Sequence, residues 1–283
     1  MPPEVVIGST EAMSSYLFKS RTAPPQQNPP PPEERQRKIN EVRQLLGNLS
    51  TEMSGFLTAG TIRRFLRTKN WSTAQATKAL KETVKWRRQY QPEKIRWEDI
   101  QNEAKRSYLA DYRDRNGRIV CIAKPATKRL TSAKDDIKLS VYNLENMALD
   151  SEDADEDHVV MLYDYRGWTP SDTPVRESIE TMNIIQKHYP GLIAVAIFCN
   201  PPKIFESFWK LLKPFLEPKL RDRVKFVHSN NPEGQRIMTD LFDLDKLESA
   251  FGGRNTADLD ITMYGETMRR RDRIRGACMS ADD

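Results

Sequence analysis

Four short apolar runs, separated by segments of helix length, constrain the fold of this chain more than any other feature. The runs are RIVCIAKP (118–125), HVVMLYDY (158–165), LIAVAIF (192–198) and VKFVHS (224–229). Helices are predicted between them, at about 134–149, 174–188 and 203–216. Short strands that alternate with helices of this length form βαβ units, so we expect an α/β fold with a mostly parallel sheet.

The sequence on either side of these runs divides the chain into four parts. Residues 1–34 contain eight of the 18 prolines and are predicted to form a disordered arm. Residues 35–104 carry apolar side chains at three- and four-residue spacing, which predicts a helical N-terminal lobe. Residues 105–253 hold the predicted sheet. Residues 254–283 lack a core pattern, include RRRDRIR, and are predicted to be a basic tail.

Charge and hydropathy favour a cytosolic protein with an anionic partner. The mean hydropathy is −0.70, and no apolar run approaches the roughly 18 residues that span a bilayer. The N-terminus also lacks the features of a signal peptide. The net charge of +5 favours transient contact with an anionic membrane surface or with nucleic acid. Nucleic acid is disfavoured because Trp71 and Trp86 fall on or beside apolar stripes, where they are expected to pack.

The sequence contains no recognisable catalytic or metal-binding motif. It has no nucleophile elbow, phosphate-binding loop or dinucleotide fingerprint, and its three histidines are scattered. Asp164 ends a predicted strand without a catalytic partner, so we interpret it as structural. The acidic stretch 150–157 lacks the glycine of a calcium loop and is predicted to be solvated. We therefore expect a monomeric, non-enzymatic protein without a metal or cofactor.

The segment from Phe198 to Leu216, FCNPPKIFESFWKLLKPFL, contains an aromatic helix. Apolar residues recur with helical periodicity from Ile204 to Leu216, and lysines occupy the other positions. Such a helix could belong to the core, lie at a membrane interface, or cover a cavity with an apolar occupant. The sequence pattern alone leaves these interpretations open.

Several motifs, taken together in order, resemble the CRAL-TRIO lipid-binding family. They are FLRTKNW, WRRQY, DRNGRIV, YDYRGW, the stretch from HYPGLIAVAIFCNPP to VKFV, and AFGG. The resemblance covers about residues 40–253 and points to the fungal and plant phosphatidylinositol/phosphatidylcholine transfer proteins, with the soluble plant branch nearest. It implies a helical N-terminal lobe, and a lipid-binding lobe whose sheet forms the floor of an apolar pocket closed by a gate helix.

The resemblance also implies which side chains face the lipid. The strand that contains Lys225 is expected to point that lysine outward, so its neighbours in alternation point inward. The implied pocket residues are Val159, Met161, Tyr163, Ala196, Phe198, Val224 and Phe226. The implied gate residues are Phe205, Phe208, Trp209, Leu212 and Phe215.

The headgroup positions depart from the family pattern, which leaves the ligand open. Arg223 stands where the family's inositol-lipid carriers have a lysine and retains a cation for phosphate. Gly191 and Leu220 replace a glutamate and a threonine, and the apolar Val159 and Met161 replace hydroxyl side chains that serve choline lipids. We expect a phospholipid-like ligand. The alternatives are another hydrophobic molecule, such as a sterol, isoprenoid or tocopherol-like compound, and a lipid-responsive regulatory module.

Overall fold

A five-stranded sheet lies at the centre of the protein, whose computed structural model describes residues 29–276. Its strands, in spatial order, are β1 (Ser107–Arg113), β2 (Ile119–Ala123), β3 (Val159–Asp164), β4 (Ile193–Cys199) and β5 (Val224–Val227). β1 pairs antiparallel with β2, and the other three pairs are parallel. The predicted α/β class with a mostly parallel sheet is confirmed. The sequence analysis missed β1, because its polar and charged residues interrupt the apolar pattern that marked the other four strands.

Eleven α-helices surround the sheet within residues 29–276. The N-terminal ones are α1 (Pro32–Leu46), α2 (Asn48–Glu52), α3 (Ala59–Thr68), α4 (Thr73–Tyr90) and α5 (Trp97–Ile100). The others are α6 (Ala133–Asp150), α7 (Val175–His188), α8 (Phe205–Leu212), α9 (Pro218–Arg221), α10 (Pro232–Leu241) and α11 (Ile261–Ile274). Helix α1 begins inside the predicted arm, whose residues 1–28 lie outside the described part of the chain.

Side-chain capping explains where two helices of the N-terminal lobe begin. The Thr58 hydroxyl accepts a hydrogen bond from the Thr61 amide at the start of α3. Ser72 accepts one from the Gln75 amide at the start of α4, as the spacing of these two residues predicts. The apolar sides of α1, α3 and α4 then form a separate core beneath these caps.

Alternation along the strands gives the sheet two distinct faces. Val159 and Met161 belong to a core shared with α6, α7 and α8. Their neighbours Val160 and Leu162 belong to a second core on the opposite face, which includes Met238 of α10. This is the period-two arrangement of a strand that is covered on both sides.

The acidic stretch 150–157 contacts the N-terminal lobe, so the prediction of a solvated loop is correct only in part: Asp153, Asp155 and Glu156 are exposed, whereas Glu152 and Asp157 are partly buried. The Glu152 carboxylate accepts hydrogen bonds from the Gly60 amide and the Thr58 hydroxyl, both at 2.8 Å. Asp155 forms ion pairs of 3.6 and 3.7 Å with Arg63 and Arg35. The basic side chains of the N-terminal helices therefore attract this stretch, which the composition of the stretch alone could not reveal.

The C-terminal region also differs from the prediction, because α11 packs on the domain. Met268 is 1% exposed, and the Tyr264 hydroxyl accepts a hydrogen bond of 3.0 Å from the Leu109 amide. Arg271 forms a bidentate ion pair with Asp150, at 2.8 and 2.9 Å. The expectation that no core pattern follows residue 253 is therefore wrong. The buried positions recur at helical spacing, but the surrounding arginines obscured them.

Within residues 29–276, no helix combines the length and apolarity required to cross a membrane.

Candidate functional site

Helix α8 places an aromatic face against the sheet. Phe205, Phe208, Trp209 and Leu212 are buried, at the spacing of one helix face. Phe215, predicted with them, is 48% exposed, because the helix ends at Leu212 and a 3₁₀ turn, Lys213–Phe215, follows. Pro214 in this turn provides no backbone N–H to continue the helical hydrogen bonds. On the opposite side of α8, the side chains of Glu206, Lys210 and Leu211 are exposed to solvent.

The sheet face beneath α8 carries all seven side chains that the sequence analysis assigned to a pocket. Val159, Met161, Ala196 and Phe198 are buried in the core that includes α8. Tyr163, Val224 and Phe226 are partly buried and pack against the same core. Lys225, between the last two, is exposed. We refer to these seven residues as the floor.

Aromatic rings join the helix to the floor directly. The Trp209 ring lies 5.5 Å from the Phe198 ring and 5.7 Å from the Phe226 ring, both in edge-to-face geometry. Phe205 lies 5.7 Å from Phe198, also edge to face. In this arrangement the gate side chains themselves fill the space between helix and sheet. Such ring pairs add about 0.5–1.5 kcal/mol each to the free energy of burial.

Two further aromatic residues belong to this layer, although the sequence analysis gave them no role. The Tyr165 ring lies 4.3 Å from Phe205, and the Trp168 ring lies 4.9 Å from Phe208. The Trp168 indole donates a hydrogen bond of 2.6 Å to the Thr173 hydroxyl, which fixes the orientation of its ring. The motif YDYRGW contains both residues, so their proximity to the gate could have been suspected from it. Asp164 of this motif binds Arg166, through the backbone amide and the guanidinium.

The layer contains no charged side chain among its named members, and its phenols are neutral. Burial raises the pKa of Tyr163, and burial with Tyr163 nearby raises that of Tyr165 well above its ordinary value. An uncharged surface of this kind can contact hydrocarbon without leaving a buried charge unpaired. Helix α8, predicted to be the gate, has only eight residues, and its buried rings contact the floor.

The headgroup positions lie at the other end of the floor, around one carboxylate. Asp157 forms ion pairs with both Arg67 and Arg223. Arg67 also donates a hydrogen bond of 2.7 Å to the Gly191 carbonyl, and Arg223 donates one to the Ile193 carbonyl. Arg223, predicted as a phosphate ligand, is thus already paired within the protein. The sequence analysis missed Arg67 and Asp157 because they are far from Arg223 in the chain.

Burial lowers the pKa of both arginines of this cluster, and a neighbouring arginine adds to the effect in each case. The pKa of Arg67 is lowered to about 10, by burial first and then by Arg63, while Glu156 and Asp155 act in the opposite direction. The pKa of Arg223 is lowered by burial and by Arg67. Both guanidinium groups are therefore partly desolvated, and both pair with the Asp157 carboxylate.

Gly191 and Leu220 occupy different environments beside this cluster. Gly191 has φ of +70°, a conformation that side chains disfavour. A Cβ atom at this position would lie 3.1 Å from the Arg67 guanidinium and 3.2 Å from the Thr68 methyl group. Leu220, in α9, packs against the core beneath the gate. The positive φ and the close contacts of an added Cβ both favour glycine at residue 191.

The sequence is similar to that of proteins from a known domain family. Residues 104–253 match the CRAL/TRIO domain model. The chain is 29% identical over 201 residues to CRAL-TRIO domain-containing protein C23B6.04c of Schizosaccharomyces pombe, covering 70% of this chain and 19% of that protein. It is 24% identical over 178 residues to phosphatidylinositol transfer protein PDR17 of Saccharomyces cerevisiae, covering 58% of this chain and 50% of that one. The chain therefore spans half or less of the length of these two relatives.

A solved structure supports the same assignment at the level of the fold. The crystal structure of Sfh5 matches with a TM-score of 0.61 at 16% identity, and the match covers 87% of this chain and 99% of that one. The family model, for its part, covers more than half of the chain. The chain belongs to the CRAL/TRIO domain family of lipid-binding and lipid-transfer proteins.

Proposed function

We propose that this protein is a non-enzymatic carrier that holds one phospholipid-like molecule between the floor and α8 and exchanges it at membranes. The observation that carries the proposal is the continuous aromatic layer between a short helix and an uncharged sheet face. In this view α8 is the gate helix. Its rings contact the floor when the protein is empty and cover acyl chains when it is loaded.

The energetics of lipid extraction require such a surface. Two acyl chains contain roughly 30 methylenes, and burying them is worth about 0.8 kcal/mol each, or on the order of 25 kcal/mol in total. A carrier must return most of this free energy from its own interior. The seven floor residues and the four buried gate residues supply apolar contacts for that purpose. When the gate opens, the lipid displaces the gate rings and takes over their contacts with the floor.

The outer side of the gate is suited to a transient membrane contact. Ile204, Leu211 and Phe215 are 55%, 58% and 48% exposed, respectively. Exposed lysines flank them at positions 203, 210 and 213. Apolar side chains can enter the headgroup region, while each lysine near an anionic surface adds about 1 kcal/mol. This distribution supports exchange at anionic membranes from a cytoplasmic location.

The arginine cluster supports a ligand with an anionic headgroup. Arg67 and Arg223 together exceed the charge of Asp157, and both guanidinium groups are partly buried. A lipid phosphate could bind them by charge-assisted hydrogen bonds. The relationship to a phosphatidylinositol transfer protein favours this type of ligand. Gly191 provides no acceptor for inositol hydroxyls, however, so recognition would rest on the phosphate.

A second candidate ligand is an uncharged hydrophobic molecule, such as a sterol, isoprenoid or tocopherol-like compound. Val159 and Met161 are both buried in the floor and offer no hydrogen bonds to a headgroup. Asp157 is paired to both arginines, so each guanidinium already has a carboxylate partner without a ligand. These two features favour the alternative specifically.

Lipid extraction followed by mass spectrometry tests the proposal and separates the two candidates. The purified protein is incubated with vesicles of mixed natural lipids, re-isolated, and extracted. The proposal predicts about one lipid molecule per chain, with a phospholipid enriched over its share in the vesicles. Enrichment of a sterol or isoprenoid would support the second candidate. Recovery of no lipid above a heat-denatured control would refute both.

A further inference from the structure

The two ends of the gate segment, residues 201–217, are attached in different ways. At its start, Asn200 remains tied to the sheet: its amide donates to the Val227 carbonyl at 2.8 Å. Its side-chain oxygen also accepts hydrogen bonds from the amide and hydroxyl of Ser229, at 2.8 and 3.1 Å. Pro201 and Pro202 follow, and neither has an N–H with which to extend this network. Asn200 is therefore the last residue with hydrogen bonds to the neighbouring strand region, and the gate segment begins with two prolines that donate none.

At its far end, the gate segment buries Leu216 in the core and continues into α9, and one side chain of helix α7 binds the backbone on either side of Leu216. The Gln186 side-chain N–H donates to the Phe215 carbonyl at 3.0 Å. The Gln186 side-chain oxygen accepts from the Glu217 amide at 2.5 Å. The amide group thus pairs with two backbone groups on alternate residues, as a neighbouring strand would. Both its donor and its acceptor are used, so neither a carboxylate nor an alkyl side chain can replace it.

A weaker contact reaches the N-terminal lobe from the same end. Lys219 donates a hydrogen bond of 3.2 Å to the side-chain oxygen of Asn70. Asn70 and Trp71 have positive φ values of 49° and 60°, which hold the loop between α3 and α4 in a defined shape. The far end of the gate segment is therefore linked to two separate elements, to α7 through Gln186 and to the N-terminal lobe through Lys219 of the adjoining α9.

We infer that Gln186 is a latch: it positions the far end of the gate segment, next to α9, and sets the ratio of closed to open protein. This inference rests on the proposed function, in which α8 opens. Asn200 to Pro202 then act as the pivot, and residues 215–217 move away from α7. The buried aromatic rings provide most of the closing force. Gln186 adds two hydrogen bonds that form or break together, and both lie at the surface, where water can replace them.

Two substitutions separate the latch from simple packing. Gln186→Ala removes both hydrogen bonds. Gln186→Glu retains an acceptor for the Glu217 amide but places a carboxylate against the Phe215 carbonyl. We expect backbone amides within residues 205–217 to exchange with deuterium about tenfold faster in both variants, which corresponds to about 1.4 kcal/mol. Trypsin cleavage after Lys210 is expected to accelerate similarly.

Gln101 provides a control away from the gate. Its side chain also donates to a backbone carbonyl, that of Glu98, at 3.4 Å, and it is also at the surface. Gln101→Ala should leave exchange in residues 205–217 unchanged. The latch is refuted if exchange in that segment is unchanged in both Gln186 variants, or if it rises equally throughout the protein. It is also refuted if Gln101→Ala loosens the gate to the same extent.

These measurements need no lipid, so they fail independently of the proposed function. A gate that loosens in the Gln186 variants of a protein that carries no lipid would retain the latch and remove the carrier proposal. A wild-type protein that carries lipid, with a gate insensitive to Gln186, would do the reverse. If both ideas hold, Gln186→Ala should also release preloaded lipid to acceptor vesicles faster than the wild type.

Discussion

Asp272 fastens helix α11 to the domain, and its removal is expected to destabilise the entire fold. Its carboxylate accepts hydrogen bonds from the Trp97 amide at 2.7 Å, the Tyr142 hydroxyl at 2.8 Å and the Arg275 guanidinium at 2.7 Å. The side chains of Asp272 and Arg275 are only 7% and 5% exposed. Asp272→Ala therefore leaves three donors without this acceptor, one of them a buried cation.

The magnitude follows from the burial of these groups. A buried donor without a partner costs about 1–3 kcal/mol, and removing one member of a buried ion pair costs about 3–5 kcal/mol. These costs overlap because the groups share one carboxylate, so we expect a loss of about 4 kcal/mol in the free energy of unfolding. For a domain of this size, that lowers Tm by about 8–16 °C.

Urea unfolding followed by circular dichroism, with calorimetry for Tm, measures the effect. Asp258→Ala is the control, because Asp258 is an exposed carboxylate in the same region of the chain. Asp272→Asn keeps an acceptor and removes the charge, and should fall between the wild type and Asp272→Ala. A loss below about 1 kcal/mol in Asp272→Ala would refute the reasoning. Residues after 253 would then behave as the loosely attached basic tail that the composition suggests.

Three further predictions concern the gate, the headgroup cluster and pH. Phe208→Asp places a carboxylate among buried rings and should abolish vesicle-to-vesicle lipid transfer. Phe215→Asp, at an exposed position, should weaken vesicle binding but leave the protein able to retain bound lipid. If both variants lost transfer and vesicle binding to the same extent, the assignment of Phe208 to the inner face and Phe215 to the outer face would be contradicted. Gly191→Glu strains a residue with φ of +70° and crowds Arg67, so Tm should fall without a gain of phosphatidylinositol transfer. A gain of transfer at unchanged Tm would show that residue 191 tolerates a side chain that binds inositol. Burial, with nearby cations, lowers the pKa of His188 from 6.5 to about 4. The unfolded chain therefore binds the proton first, and stability is lost as pH falls from 6.5 to 4. His188→Gln should reduce this slope in urea titrations, and an unchanged slope would remove His188 as its source.

The sequence predicts the four parallel strands of the sheet well. β2, β3, β4 and β5 are mainly apolar runs bounded by polar residues, and each lies within two residues of its predicted limits. β1 escapes prediction because it is the antiparallel edge strand, with polar and charged residues on its exposed side. Alternation places Val224 and Phe226 on the face opposite Lys225, whereas the other five floor residues were predicted from the family resemblance.

Contacts between distant segments could not be predicted in the same way. Asp157 pairs with Arg67 and Arg223, which are 90 residues before it and 66 residues after it in the chain. Neither sequence spacing nor composition predicts these two ion pairs. The latch is hidden for the same reason, because a glutamine on a helix surface gives no sign of the backbone it will bind. Local pattern determines elements and faces, whereas long-range polar contacts depend on how those elements are assembled.

The two-faced sheet has a consequence for how such a protein can change. Along β3, Val159 and Met161 face the gate, while Val160 and Leu162 belong to the core on the opposite side. Substitutions at alternate positions can therefore alter what the interior accommodates, while the intervening positions preserve the scaffold. On the proposed function, selection or a designed library could shift the cargo by varying every second residue. Because alternate residues of a strand face opposite sides of the sheet, residues that contact the cargo can change while residues of the other core keep the protein folded.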